Sequence, residues 1–171
     1  LRPCASGVAL ALACSVSAPA TEVREALARA APLELAAGEG RIRLGRAAFA
    51  DVAVSLEGRR ALAVAVVDAD GAVRAGGHEV RLAYVGREAL ELERCPGRRW
   101  CPVGSALPAL AGVVEALLLA PAAERRRAVA WQIRVERDRA TVGEDAELAG
   151  GGKAPRVVRN LVREDGRWRL E

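Results

Sequence analysis

The chain has no methionine and only one histidine, one lysine, one phenylalanine and one tyrosine among its 171 residues, and each shortage removes a class of chemistry. With His78 alone, no Cys–His or Ser–His–Asp set can be assembled. The cysteines show no C-x-x-C spacing and no second ligand pair, so neither a redox motif nor a metal site is expected, and no cofactor is implied. Charge of one sign is also lacking. A net charge of +4, with 26 basic residues interleaved among 22 acids, makes no stripe of the kind a phosphate backbone requires, so nucleic acid is not an expected partner. The densest basic run, Glu124 to Arg127, reads as a solvated helix end. Lys153 is the only lysine, and this arginine- and alanine-rich bias reflects a GC-rich genome rather than a selected basic surface.

What is present is a 51% hydrophobic content, mainly Ala, Val and Leu, enough for a packed core of small and branched side chains. The length suits one domain or two small, intimately packed repeats.

Residues 1–20 read as a secretory signal, with Arg2 as the charged region, an apolar run from Gly7 to Ala13, and Ala18-Pro19-Ala20 as a small-residue cleavage site. A rival reading takes Ala11-Leu12-Ala13-Cys14 as a bacterial lipoprotein signal with Cys14 lipidated. A spanning helix takes about 20 apolar residues, and this run is shorter and proline-interrupted. Contact with a membrane is therefore expected only through the signal or a lipid anchor. The expected location is the periplasm or envelope. There Cys95 and Cys101 meet an oxidising compartment, and the Pro96-Gly97 turn between them brings the two together as a disulfide.

Along the chain, Thr21 is expected to cap a helix that Pro32 ends. Alternation then predicts strands through Val52, Val54 and Leu56 and through Leu62, Val64 and Val66, joined by the turn Glu57-Gly58-Arg59. Asp70-Gly71 signals a hairpin. A further strand through Val80, Leu82 and Tyr84 turns near Gly86 and returns through Leu90 and Leu92, completing a four-stranded meander. A second helix is expected from about Ala106 to Ala130, interrupted or kinked at Pro121. Strands then recur through Trp131 to Val135, Ala140 and Val142 onward, Arg156 to Val162 and Arg167 to Glu171. The turns between them lie at Arg137-Asp138, Gly150 to Gly152 and Glu164 to Gly166.

The two halves echo each other. Val54 to Glu57 before Arg60-Ala61 matches Ile133 to Glu136 before Arg139-Ala140, and Gly71 and Gly150 stand at equivalent turns. The expected fold class is therefore α+β, a curved antiparallel sheet packed against helices, read as two helix-plus-four-strand repeats over residues 21–104 and 105–171.

The ending Leu161 to Leu170, with its Glu164-Asp165-Gly166 turn and Trp168, preceded by Val135 to Val142, resembles the closing strands of the nuclear transport factor 2-like, or SnoaL-like, superfamily. The likeness covers mainly residues 131–171. It implies a curved sheet wrapped around helices as a cone, often in exported lipoproteins and in some members with an acid-base residue inside. The simplest family plan has one helical block before one sheet, and residues 21–104 depart from it.

Strand phase supplies the candidate polar residues. Glu144 shares a face with Ala140, Val142 and Ala146, Asn160 with Val158 and Val162, and Asp68 with Leu62, Val64 and Val66. A carboxylate on an apolar face can act as a base, with Arg159 or Asn160 stabilising a developing oxyanion. The simpler reading puts Asp68 and Glu144 at strand ends in solvent. Trp131, Ile133, Val142 and Trp168 are the candidates to line a ligand face. The leading expectation is a non-catalytic envelope protein binding a small apolar ligand or an envelope protein through a concave sheet. Its rivals are a carboxylate-based isomerase or hydrolase and an interaction or inhibitor module. Oligomeric state is left open.

Overall fold

In the first half, alternation resolves into three strands of 16–18 residues, much longer than the usual 5–6. The computed structural model describes residues 18–29, 34–97, 99–103, 105–120 and 126–171. Helix α1 (Ala18–Arg29) leads into β1 (Glu34–Ala37), β2 (Gly40–Glu57), β3 (Arg60–Ala75), β4 (His78–Arg94) and the short β5 (Trp100–Pro102). Helix α2 (Pro108–Leu119) precedes β6 (Arg126–Glu136), β7 (Arg139–Leu148), β8 (Val157–Glu164) and β9 (Arg167–Leu170). The strands form a single sheet in the order β1-β2-β3-β4-β6-β7-β8-β9, with β5 paired to β4.

The fold-class expectation is corrected by this topology. The described residues are mostly strand with two short helices, a large sheet rather than a helix-packed α+β cone. Nor is the sheet wholly antiparallel or split into two meanders, because β4 and β6 run parallel from Arg81↔Ala130 to Gly86↔Val135 and weld the halves together.

Long pairings override the local turn signals. Gly86 lies within the unbroken β4, paired with Val67 and Val135, and Gly71 lies within β3 between Leu44 and Leu82. Gly71 therefore has no turn equivalence with Gly150, and the β3–β4 reversal falls at Gly76 and Gly77, both at positive φ. A Cβ on Gly71 would strike the Arg43 carbonyl oxygen, so glycine is needed for β2 to approach β3 there. The second helix is also shorter than expected. It stops at Leu119, residues 121–125 lie outside the described part, and Arg126 to Ala130 belong to β6. Helix α1 begins at Ala18, which places Thr21 inside it rather than at its cap. The first 17 residues, Cys14 among them, lie outside the described residues.

Helix α2 packs against β1, β2, β4, β6 and β9, touching both ends of the strand order. Eight strands laid flat would span about 34 Å at 4.8 Å spacing. A helix about 10 Å wide and 18 Å long reaches both edges only if the sheet wraps around it. The concave side is therefore occupied: Leu107, Leu110, Val113 and Val114 of this segment are wholly buried against Ile42, Leu44, Val67, Leu90 and Val142. Trp168 on β9 closes over the helix at Gly112, where a Cβ would come within 2.6 Å of the indole Cδ1.

Helix α1 covers the other end. Arg24 donates to the Val52 carbonyl at 3.0 Å, and Glu22 pairs with Arg94 at 2.8 Å. Arg94 also lies over the Trp100 ring, 4.5 Å from its centroid. The expected disulfide is present. Cys95 and Cys101, with Cα atoms 6.0 Å apart, close the β4–β5 hairpin that joins the two halves.

Candidate functional site

Two polar clusters are built into the concave side. On β4 the residues in phase with Leu82, Leu90 and Leu92 are Tyr84, Gly86 and Glu88, and Glu88 is only 1% exposed. Gly86 has no side chain to separate its neighbours, so the Tyr84 hydroxyl passes over it and donates to Glu88 Oε1 at 2.6 Å. The remaining carboxylate capacity caps α2. Ala109 N–H donates to Oε2 and Leu110 N–H to Oε1, each at 2.9 Å. Helix ends leave such N–H groups without intrahelical partners. Leu107 N–H reaches Ser105 Oγ at 3.4 Å, Pro108 has none to offer, Glu88 takes the next two, and Ala111 N–H begins the helical ladder on the Leu107 carbonyl at 3.0 Å. Burial pushes the Glu88 carboxyl above its usual range, against the opposing pull of Tyr84, the two backbone N–H groups and Arg163. Burial, followed by the charge on Glu88, likewise holds the Tyr84 phenol protonated far above its ordinary value.

The second cluster joins β6, β7 and β8. Glu144, 7% exposed, accepts from Trp131 Nε1 and from Arg159 Nη2, both at 3.3 Å. Register explains the meeting: Trp131 lies directly opposite Glu144, and Arg159 opposite Val142, one step along the same face. Glu144 is thus neither at a strand end nor in solvent, and both its oxygens are engaged. Asn160 faces the other way, exposed beside Thr141, and does not join this cluster. Of the residues considered for carboxylate chemistry, the fold brings together Glu144 and Arg159 alone.

Asp68 occupies the outer face, where it and Asp70 pair with Arg46 at 3.3 and 2.8 Å. The expected ligand-lining residues Trp131, Ile133, Val142 and Trp168 are all buried in the core beneath the helices. Ile133 also lines the open groove across β4 and β6, whereas Trp131, Val142 and Trp168 line none of the described grooves.

The outer face is where the strand pattern is inverted. On β3 the inward residues are Ala61, Ala63, Ala65, Val67 and Ala69, and the outward ones include Leu62, Val64 and Val66. Sequence phase put Asp68 with Leu62, Val64 and Val66, and that grouping holds, but the group points away from the core. Small residues suit the floor of a concave sheet because side chains converge there and volume is short. Among the described residues, Leu62, Val64 and Val66 belong neither to the core nor to the partly buried residues packed against it. Leu62 is 43% and Val85 42% exposed, and Val64 is flanked across the ladder by Ala53 and Ala89. Two open grooves, of about 430 and 340 Å3, continue this surface across β4 and β6 on either side of Val85 and Arg134. Reasoning from sequence overlooked this face because period-2 alternation between two apolar residue types does not say which type is inside.

No family model, no curated protein and no solved structure matches the chain.

Proposed function

We propose that this is an exported, non-catalytic binding protein that holds an envelope protein partner against the outer face of β2, β3 and β4. The observation that carries the reading is the inverted β3, with alanines buried and Leu62, Val64 and Val66 turned outward. Contiguous exposed aliphatic surface rimmed by charge is a signature of contact sites. The rim carries both signs, including Arg60, Glu91, Arg87 and the Arg46–Asp68 pair, which suits a protein surface better than a uniformly charged partner. The occupant would be an aliphatic protein face. The concave side, filled by α2, gives less support to a small apolar ligand. Export is supported by the Cys95–Cys101 disulfide and the apolar stretch from Gly7 to Ala13. Among the described residues no helix is long and apolar enough to cross a membrane. Kinship with the nuclear transport factor 2-like superfamily remains part of the proposal, supported by the hairpins over residues 131–171.

The double substitution Leu62→Lys, Val85→Lys tests this. Both sites are exposed, so the purified variant is expected to keep its unfolding midpoint, within about 0.5 kcal/mol for surface changes. In envelope extract the wild-type protein is expected to migrate above its monomer mass and the variant at it. Identical migration of the two would show that this face holds no partner.

A further inference from the structure

A different part of the outer face carries a charge arrangement that the sheet does not need. Where β1, β2, β3 and β4 meet, a groove of about 610 Å3 is lined by Gly45, Gly71 and Ala72 along its floor and by Arg41, Arg43 and Arg74, with Glu34 and Glu79 at its ends. Register sets Arg41 directly opposite Arg74, and places Arg43, Ala72 and Arg81 in one row across three strands. Like charges opposed on one sheet face oppose folding. Arg74 donates to Glu79 at 3.0 Å, but among the described residues Arg41, Arg43 and Arg81 have no carboxylate oxygen within 4.0 Å. The lining itself holds three guanidinium groups against two carboxylates, and Arg81, in the row beyond Ala72, adds a fourth guanidinium to the same face.

The floor is bare for reasons built into the backbone. The β2–β3 register slips between Leu44 and Arg46, so Gly45 falls out of the ladder, and a Cβ there would meet nothing within 4 Å. Gly71 beneath it admits no side chain because the Arg43 carbonyl is too close. The result is a trough whose floor carries no side chain larger than the Ala72 methyl, walled by planar, permanently charged forks suited to bidentate contact with oxyanions. A genome-wide preference for arginine accounts for how many arginines the chain has, but not for placing three of them around one floor of small residues.

We infer that this groove is a binding site for a phosphate group, whether on a soluble molecule or on a lipid headgroup. The inference does not depend on the aliphatic surface of β3.

Titration of the full chain with pyrophosphate at about 0.15 M salt, where long-range attraction is screened, tests it by calorimetry. In parallel, the chain is sedimented with vesicles of phosphatidylcholine alone and with added phosphatidate. The expected result is saturable binding to one probe or both. Binding should weaken about tenfold or more in Arg41→Gln, Arg43→Gln, each lost guanidinium–phosphate pair being worth on that order. Gly45→Glu, which puts a carboxylate into open space, should weaken it as well. The control Arg139→Gln, Arg167→Gln removes the same charge from exposed sites elsewhere and should leave binding intact. Binding to pyrophosphate assigns a soluble source, and binding to phosphatidate vesicles alone assigns a headgroup. No binding to either probe, or equal weakening in the control, would overturn the assignment.

Discussion

Removing the carboxylate of Glu88 should loosen α2 from the sheet that wraps it. In Glu88→Ala, the N–H groups of Ala109 and Leu110 and the Tyr84 hydroxyl lose their acceptor at a site only 1% exposed. Each buried polar group left unmatched costs about 1–3 kcal/mol, so the variant should lose about 3 kcal/mol or more. That is a large share of the 5–15 kcal/mol typical of whole domains. Glu88→Gln retains one oxygen but turns an NH2 group toward a backbone donor, and should cost about 1–2 kcal/mol. The pH dependence is more diagnostic. Burial raises the folded-state pKa of Glu88 above its unfolded value, so the native protein holds this proton more tightly. The stabilisation this provides is full below the unfolded carboxylate pKa, about 4.3, and is lost as pH rises through the elevated folded-state pKa. Glutamine does not titrate. The stability difference between wild type and Glu88→Gln should therefore be greatest at acid pH and shrink as pH climbs. Urea unfolding followed by the buried Trp131 and Trp168 emission, repeated across pH, reads this difference directly. A difference that grows with pH would mean that Glu88 is held by its hydrogen bonds as a stabilised anion and that burial does not dominate.

Other expectations follow from the same packing. Gly112→Ala in a helix ordinarily gains up to about 1 kcal/mol, but here the new Cβ would sit 2.6 Å from Trp168 Cδ1, so a net loss of about 1–2 kcal/mol is expected by thermal unfolding. Replacing Cys95 and Cys101 by serine opens a loop with a sequence separation of 6 and should cost about 2 kcal/mol in chemical denaturation. Glu144→Gln should cost about 1–3 kcal/mol, because it breaks the pairing with Arg159 and Trp131, and unchanged stability would show that cluster to be dispensable for the fold.

The second half was the more legible part of the fold. Turns at Arg137-Asp138 and Asp165-Gly166 were marked by their residues, and Arg137, Asp165 and Gly166 do adopt positive φ. The first half was obscured because Gly71 and Gly86 are strong local breakers that long-range pairing on both sides overrides. A turn at Gly86 would separate Glu88 from Leu82 and Tyr84. Read as one strand, Leu82, Tyr84, Gly86, Glu88, Leu90 and Leu92 fall in a single phase, and a carboxylate in that series is the signal that would have found the α2 cap. Phase did place Glu144 correctly among Ala140, Val142 and Ala146, but its partner Arg159 comes from a third strand, and only the β7–β8 register brings it near. The over-long second helix came from apolar residues whose period could not separate a helix from the start of a strand. The choice of face on β3 was not available from the alternation of Ala with Leu and Val at all. It depends on the sheet wrapping around α2, which makes the inner side the more crowded one.

The claim that most needs testing is that Leu62 and Val85 are covered in the cell. A photoreactive residue placed at either position, and as a comparison at the exposed Lys153, reports directly on what lies against each. Positions 62 and 85 should give a discrete adduct with a second protein of defined mass, and position 153 should not. The absence of any adduct at 62 and 85, or the same adducts from all three positions, would contradict the account.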